Sequence, residues 1–312
     1  MKETQFERTN LLIGKHAVDV LKKSRVAVFG LGGVGGMAVE SLARIGVGSF
    51  LLIDGDVVSP SNLNRQVIAT QNSVGRKKTE VMRERVHMIN SGIKVDVVDM
   101  FVLEENIYDI DLSGVDYVVD AIDTISAKLA IAKRCFKEGI KVISSMGAGN
   151  RTSMNFVVGD IFSSSICPIA KIMRRKLREV GVDRLKVVYS LEVPKGHFDA
   201  LGNIAKSESS ESQKSLALQA REVCNANLFD EYNMSNGECD EEVCDVVDGS
   251  SDGGGGSVGG DSGEGEVLGG QRKRVRKTIG SIPFAPMCAG LHLASSVVEG
   301  LVEGNCLMMI DD

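Results

Sequence analysis

Five glycines within seven residues form the most informative cluster in the sequence. Gly30, Gly32 and Gly35 have the spacing G-x-G-x-x-G, and Gly33 lies between them. A β-branched apolar run at 25–30 precedes the cluster, and a pattern with helical spacing follows it at 36–45. Glycine lets the backbone approach phosphate oxygens closely, and the free amides at the start of a helix attract negative charge. The cluster therefore predicts a phosphate-binding loop between a strand and a helix.

A carboxylate follows at the distance expected for ribose binding. Asp54 ends the next apolar run, 19 residues beyond Gly35, where an acidic side chain can accept hydrogen bonds from ribose hydroxyls. A glycine loop followed by such an acid is also typical of proteins that bind nicotinamide or flavin dinucleotides. These residues by themselves leave that interpretation open.

The residues after Asp54 carry more cationic and amide groups than a dinucleotide requires. A triphosphate carries about four negative charges and gains more during attack at its α-phosphorus, so arginine and lysine must converge there. Arg65 and Lys78 can supply these charges. The predicted nucleotide contacts around them are Asp56, Asn62, Asn64 and Gln66.

Asp123 follows the fourth apolar run and is the predicted Mg²⁺ ligand, because magnesium prefers carboxylate and phosphate oxygens. A helix N-cap is the simpler interpretation of Asp123 alone, and a solvated helix face is the simpler interpretation of Lys78 alone. Their coincidence at one predicted sheet edge favours ATP.

Strand and helix patterns alternate through the first 150 residues. The strand patterns lie at 25–30, 49–54, 94–99, 116–120 and 140–145, and the helical ones at 36–45, 77–89 and 126–138. This alternation predicts a Rossmann-like, doubly wound α/β fold with a mostly parallel sheet, whose ligand lies at the carboxyl ends of the strands. Further strands are predicted at 152–158 and 185–190, and helices at 168–180 and 281–306.

We expect three parts: an ATP-binding adenylation domain at 1–150, a C-terminal part of the same fold at 151–194 and 271–312 that serves substrate binding and dimerisation, and a low-complexity insert at 195–270. Glycine, serine and acidic residues dominate the insert, which predicts disorder with a marginal helix at 215–224.

The net charge of −6 is unevenly distributed. Residues 201–270 contain 15 acidic and three basic side chains, a local charge of −12, which leaves +6 on the rest of a chain whose total is −6. The overall value argues against a nucleic-acid partner, whereas the basic remainder weakly favours one. One set of cations follows the insert: Arg272, Lys273, Arg274, Arg276 and Lys277.

Seven scattered cysteines without a C-x-x-C pair argue against a disulfide framework and against paired-cysteine zinc sites, and favour a reducing compartment. The N-terminus has neither an apolar signal core nor transit-peptide character, and no uninterrupted run of 18 apolar residues occurs. We expect a soluble cytoplasmic protein without a membrane span, or one of an organellar matrix if an N-terminal address has been removed.

The segments GLGGVGG, DGDVVSPSNLNRQ, VGRKKTE and DAIDT together resemble the adenylating domain of the ubiquitin-activating-enzyme-like superfamily, which includes ThiF and MoeB. The resemblance implies that the glycine loop, Arg65 and Lys78 bind ATP phosphates, that Asp54 binds ribose and that Asp123 binds magnesium. Arg8 is similar to an N-terminal arginine that reaches the triphosphate of the partner subunit, which implies a homodimer.

The later segments SSMGAGN, DIFSSSICPIA, LKVVYSLEVP and GSIPF are similar to those of the tRNA threonylcarbamoyladenosine dehydratase family, called TcdA or CsdL in bacteria. The resemblance implies an AMP- and pyrophosphate-forming ligase that adenylates the carboxylate of threonylcarbamoyladenosine, beside the tRNA anticodon. A nitrogen of the same modification then closes a ring. The resemblance also implies a possible cysteine-desulfurase or sulfur-acceptor partner.

No catalytic cysteine is required, because the nucleophile is intramolecular. Cys167 precedes a proline at a predicted helix start, so a reactive thiolate and a structural role both stay open. The tRNA-binding candidates lie on that helix: Arg174, Arg175, Lys176 and Arg178. A solvated helix face is an equally good interpretation of these four cations.

Three alternatives stay open. The chain could adenylate the C-terminal glycine of a ubiquitin-like sulfur carrier, although the zinc pairs usual in such enzymes are missing. It could be an NAD-dependent oxidoreductase, which only the glycine loop and Asp54 support. It could be a scaffold that has lost activity, which would predict losses at Arg65, Lys78 or Asp123, and all three residues are present.

Overall fold

A computed structural model describes residues 4–195 and 279–306, with side chains to residue 303. Seven strands form one sheet: β1 (Arg25–Phe29), β2 (Ser49–Ile53), β3 (Lys94–Val98), β4 (Tyr117–Asp120), β5 (Lys141–Ser145), β6 (Phe156–Asp160) and β7 (Lys186–Ser190). Their order is β3-β2-β1-β4-β5-β7-β6. Within this sheet only β6 runs antiparallel to its neighbour, β7. The predicted doubly wound, mostly parallel α/β fold is confirmed.

Six α-helices are described: α1 (Glu7–Lys23), α2 (Gly33–Ile45), α3 (Lys78–Ile89), α4 (Ile125–Glu138), α5 (Pro168–Glu179) and α6 (Phe284–Cys306). Alternate residues of the buried strands face opposite sides, as in a parallel sheet covered by helices. Val26 and Val28 of β1 face the core that α1, α2, α3 and α6 cover. Ala27 and Phe29 face the core that α4 covers, and α5 packs beside α4.

Three element starts differ from the sequence prediction by three or more residues, and one helix was not predicted. Helix α2 begins at Gly33 and not at 36, and α6 begins at Phe284 and not at 281. The strand predicted at 152–158 begins only at Phe156, because Thr152 and Ser153 donate their backbone amides to Glu192 instead of to a strand. The N-terminal helix α1 was not predicted, since the exposed Leu11 and Leu12 and the break at Gly14 obscure its helical pattern. Gly14 has φ +82°, which interrupts the helix.

Residues 196–278 and 307–312 lie outside the described residues, and with them nearly all of the predicted insert, the marginal helix at 215–224 and the cations at 272–277. The two described segments that border 196–278 meet at Asn150. The Lys195 amide donates to the Asn150 carbonyl at 2.7 Å, and the Asn150 amide donates to the Gly280 carbonyl at 2.8 Å. Both borders therefore lie beside the connection between β5 and β6.

One stretch of α6, Phe284–Glu303, is long and apolar enough to cross a membrane by length and composition alone. Half of it is buried within the fold, and a buried core helix meets the same criterion. Its buried side chains face β4 and β5 as part of the core on that side of the sheet.

Candidate nucleotide site

The glycine loop connects β1 to α2 at the carboxyl edge of the sheet. Gly30 has φ +88°, and an added Cβ would lie 2.8 Å from the Ala121 carbonyl oxygen. An added Cβ at Gly35 would lie 1.8 Å from the Gly30 carbonyl oxygen. These two positions require glycine because the strand, the helix and the end of β4 approach so closely.

The other two predicted loop glycines have different surroundings. An added Cβ at Gly33 would lie 3.0 Å from the Pro286 Cβ, so Gly33 serves the packing of α6. At Gly32 the nearest atom would be the Gln66 Nε2, at 3.9 Å. Gly32 is the N-cap of α2 and has no side chain to cap this end, and no acidic residue occupies the first turn. The amide end of α2 is therefore available to an anion.

Asp54 joins the loop to the end of β2. Its Oδ2 accepts the Leu31 amide at 2.6 Å, and its Oδ1 accepts the Asp56 amide at 2.8 Å. Burial raises the pKa of the Asp54 carboxyl, while attraction to Lys78 and the two amide bonds lower it in part. The carboxylate therefore fixes the loop and keeps further lone pairs for a hydroxyl donor.

Lys78 begins α3, and its side chain is only 6% exposed. Its ammonium lies 2.7 Å from the Asp56 carboxylate, which is itself 52% exposed. The buried ammonium of Lys78 thus has a counter-ion at the surface. Its charge also lowers the pKa of Asp54 in part. Lys78, Asp54 and Asp56, three of the predicted site residues, are brought together.

Most of the hydrogen bonds described for segment 61–66 join residues within the segment or next to it. Asn62 accepts the Ser59 amide at 3.1 Å, and Asn64 donates to the Ser281 carbonyl at 2.8 Å. Arg65 donates from Nη1 to the Ser61 carbonyl at 2.7 Å, so its guanidinium folds back on its own turn. Gln66 is buried, and its Oε1 has no hydrogen-bond partner within the described part of the chain. Gln66 thus keeps an unused polar atom close to the glycine loop.

Asp123 is exposed three residues beyond the end of β4, and the preceding Ala121 packs against the glycine loop. The N-cap of α4 is Thr124, so Asp123 does not have the capping position that was its simpler interpretation. Among the described residues, no group of three or more His, Cys, Asp or Glu side chains could hold a metal ion. Asp123 as a magnesium ligand therefore stays a prediction, and it requires that the remaining ligands come from phosphates and water.

The predicted tRNA-binding helix α5 has one cation turned inward. Arg174 donates from Nη1 to the carbonyl and the hydroxyl of Ser164, both at 2.6 Å, and burial lowers the pKa of its guanidinium. Arg175 and Arg178 are exposed, and Arg178 also lies 5.2 Å from the centre of the Phe162 ring. Lys176 is half-buried. The four candidates therefore do not form one uniform surface.

Two other predicted residues lie away from the glycine loop. Cys167 is buried at the N-cap of α5, so its thiol is shielded from solvent. Arg8 is exposed on α1, beside Leu11 and Leu12, which are 87% and 86% exposed. Because one chain is described, the predicted contact of Arg8 with a partner subunit stays a prediction.

A buried polar network, whose residues have no predicted role, lies under this edge of the sheet. The Lys128 ammonium donates to the Asp120 carboxylate at 3.0 Å and to the Ser144 hydroxyl at 3.2 Å. Ser144 donates to the same carboxylate at 2.5 Å. The available signal was a lysine within the apolar pattern of α4. Arg151, also buried, was missed as well.

Comparisons with known proteins agree with this geometry. The ThiF family matches residues 6–194. The tRNA threonylcarbamoyladenosine dehydratase of Bacillus subtilis is 45% identical over 61% of this chain and 76% of that protein. The protein of the same name from Escherichia coli is 37% identical, over 56% of this chain and 65% of that protein.

The structure of the Escherichia coli enzyme in complex with ATP superimposes with a TM-score of 0.58 and 30% identity, over 72% of this chain and 95% of that one. The family match extends from the start of α1 to the end of β7 and covers the glycine loop, Lys78 and Asp123. The chain belongs to the ThiF family.

Proposed function

We propose that this protein is an ATP-dependent tRNA threonylcarbamoyladenosine dehydratase. In the proposed reaction the threonyl carboxylate attacks the α-phosphorus of ATP, forming an acyl-adenylate and releasing pyrophosphate. A nitrogen of the same modification then bonds to the carbonyl carbon, loses its proton and expels AMP. Ring closure removes one water from the nucleoside, while ATP becomes AMP and pyrophosphate.

The observation that carries the proposal is the open amide end of α2 with Lys78 at the same edge. Gly32 and its neighbours would receive phosphate oxygens, and Lys78 would exchange Asp56 for phosphate. Asp54 would hold the ribose and Asp123 a magnesium ion. Arg65 would have to turn away from Ser61 to reach a phosphate. The relatives named above support ATP and tRNA as the substrates.

The tRNA surface is proposed on α5. Arg175 and Arg178 present exposed cations, with Lys176 half-buried between them, on a body whose charge outside residues 201–270 is +6. Arg174 is better placed to hold the turn at Ser164 than to contact RNA. Arg272, Lys273, Arg274, Arg276 and Lys277 stay candidates outside the described residues.

Several finer features rest on the family alone. A homodimer would bring Arg8 to the partner's ATP site and cover Leu11 and Leu12. The division into an adenylation part and a substrate part, the sulfur-acceptor partner and a cytoplasmic location are likewise proposals.

The test incubates the full chain with ATP, Mg²⁺ and tRNA that carries the open modification. We expect AMP release and loss of one water in the mass of the digested nucleoside. Lys78→Met, which we expect to release AMP much more slowly, is the matched control. AMP release that requires a small protein ending in Gly-Gly, and not the modified tRNA, would instead identify a sulfur-carrier-activating enzyme. Absence of both activities would refute the proposal.

A further inference from the structure

Arg151 is a buried cation at the same sheet edge as the proposed ATP site. It lies in the connection between β5 and β6, six residues after the end of β5. β5 pairs with β4, so this connection leaves the carboxyl edge beside the end of β4 that precedes Asp123. Arg151 is only 4% exposed.

The guanidinium has far fewer partners than its burial requires. Nη1 donates to the Gly149 carbonyl at 3.1 Å, while Nε and Nη2 are buried and find no hydrogen-bond partner in residues 4–195 and 279–303. Arg134, which is buried to a similar degree, donates to the carbonyls of Ile107 and Ile110 and to the Glu138 carboxylate. A buried charge without an acceptor is strongly unfavourable, so Arg151 lacks a partner that Arg134 has.

Arg151 lies close to the start of helix α5. An added Cβ at Gly147 would lie 3.6 Å from the Arg151 Nη1 and 2.9 Å from the Cδ1 of Ile169, a residue in the first turn of α5. The N-cap Cys167 makes no side-chain capping bond at that end of α5, and no acidic residue occupies its first turn. The guanidinium and the first turn of this 12-residue helix therefore both lie close to Gly147, and the start of a helix attracts negative charge.

Hydrogen bonds hold the backbone both before and after Arg151. Asn150 has φ +56°, and its Oδ1 accepts the Gly280 amide at 2.8 Å. The carboxylate of Glu192 accepts the amides of Thr152 and Ser153 at 3.0 and 2.8 Å. Glu192 is thus occupied by the backbone, and no ion pair joins it to Arg151 among the described residues.

We propose that Arg151, with the amide end of α5, binds the carboxylate of the acyl substrate that is activated. This inference rests on the proposed function. A guanidinium can hold a carboxylate through two parallel hydrogen bonds, which matches the two unused donors. The one hydrogen bond of Arg151 is donated to a neutral carbonyl, so exchanging that bond for one to an oxyanion costs little.

A carboxylate fits this position better than the ATP phosphates do. The glycine loop follows β1, and β5 lies two strands away, about 10 Å along the edge. The loop, Lys78 and the end of α2 already provide cationic groups for phosphates. A separate cation near Asp123 would neutralise the substrate and leave one of its oxygens directed toward the α-phosphorus.

The test compares two ligands in equilibrium binding without ATP: tRNA with the open modification, and the same tRNA with the threonyl carboxylate converted to a methylamide. We expect the unmutated chain to bind the carboxylate form about tenfold more tightly, and Arg151→Met to lose this preference. Arg151→Lys should keep part of it. Arg25→Met is the control, because Arg25 also has a buried Nε with no partner among the described residues but lies at the opposite sheet edge, paired with Asp96.

Each outcome decides the matter. A tenfold preference that survives in a folded Arg151→Met chain overturns the proposal, and so does equal binding of both tRNAs by the unmutated chain, which requires no variant to fold. Weaker ATP binding in Arg151→Met, with the preference intact, would assign Arg151 to a phosphate. AMP release with modified tRNA tests the proposed function separately, so its failure is distinguishable from failure of this inference.

Discussion

Two buried lysine ammonium groups lie at the carboxyl edge of the sheet, and their partners differ. Lys128, beneath β4 and β5, is 1% exposed and pairs with Asp120, which is 2% exposed. Lys78, beside β2, is 6% exposed but pairs with Asp56, which is 52% exposed. Asp120 and Ser144, the partners of Lys128, are both inside the protein, whereas the counter-ion of Lys78 is in contact with water.

The difference separates a cation that supports the fold from one that can serve a ligand. The Lys128 network also fixes the turn that leads to Asp123, since Asp120 Oδ1 accepts the Ile122 amide at 3.2 Å. Water competes for the exposed carboxylate of the Lys78 pair, whereas both members of the Lys128 pair are shielded from it. Under the proposed function Lys78 would exchange its carboxylate for a phosphate, whereas Lys128 cannot leave Asp120 without leaving a buried charge unpaired.

The largest expected effect is on Lys128. Lys128→Met leaves the Asp120 carboxylate buried and unpaired, which should lower the free energy of unfolding by about 3–5 kcal/mol. Urea unfolding followed by circular dichroism measures the change. The double variant Lys128→Met, Asp120→Leu should recover much of the loss, because an apolar pair needs no charge compensation. A Lys128→Met chain as stable as the unmutated one would contradict the role assigned here.

The second variant, Lys78→Met, tests the lysine whose counter-ion is exposed. Lys78→Met should lower the rate of AMP release by about a hundredfold or more, the usual effect of removing a group that stabilises transition-state charge. Its unfolding free energy should change by less than that of Lys128→Met, because Asp56 is exposed and keeps its hydration. Single-turnover kinetics and urea unfolding measure the two effects. Unchanged AMP release would remove Lys78 from the site.

Two loop glycines allow the same comparison, between a residue that supports the fold and one proposed to serve a ligand, without any change of charge. Gly35→Ala places a Cβ 1.8 Å from the Gly30 carbonyl oxygen, so the strand and helix must separate at a cost of about 1–3 kcal/mol in stability. Gly32→Ala meets only the Gln66 Nε2 at 3.9 Å and should change stability by less than about 0.5 kcal/mol.

Gly32→Ala should nevertheless weaken ATP binding by about tenfold, because the methyl group occupies the approach of a phosphate to the α2 amides. Isothermal titration of ATP and thermal unfolding distinguish the two variants. Equal loss of stability in both would show that Gly32 is a packing residue, like Gly35.

Helix α5 offers a comparison between inward and outward cations. The paired charge reversals Arg175→Glu and Arg178→Glu should weaken tRNA binding and reduce its salt dependence by about one unit for each phosphate that is no longer bound. ATP affinity should stay the same. Arg174→Glu should instead reduce stability, because its guanidinium holds the Ser164 turn. Unchanged tRNA affinity in the paired reversal would exclude α5 as the RNA surface.

Local patterns in the sequence were sufficient to predict the sheet, the loop and most residues at its edge. Strand periodicity, glycine spacing and the position of Asp54 each follow from neighbouring residues. The direction in which a side chain points does not follow from its neighbours in the sequence. Arg65 and Arg174 fit the pattern of ligand-binding cations, yet each donates to a nearby carbonyl. Lys128 was missed because its partner lies eight residues away, at the end of a strand.

The smallest expected effect concerns the pH dependence of Asp54. Burial raises the pKa of this carboxyl above its ordinary value of 3.8, and attraction to Lys78 partly opposes the rise. A carboxyl with a raised pKa favours its protonated form in the fold. Its contribution to stability is therefore full below the unfolded-state pKa and is lost as pH rises through the folded-state pKa.

Lys78→Met removes the opposing attraction, so the pKa of Asp54 should rise further and the loss of stability should extend to higher pH. Lys78→Arg keeps the charge and should leave the titration close to that of the unmutated chain. Carboxyl-carbon NMR follows Asp54 directly, and urea unfolding at a series of pH values follows the stability. An unchanged pKa in Lys78→Met would mean that the two amide bonds, and not the lysine, oppose the effect of burial on Asp54. The Lys78 charge would then not couple to the proposed ribose-binding carboxylate.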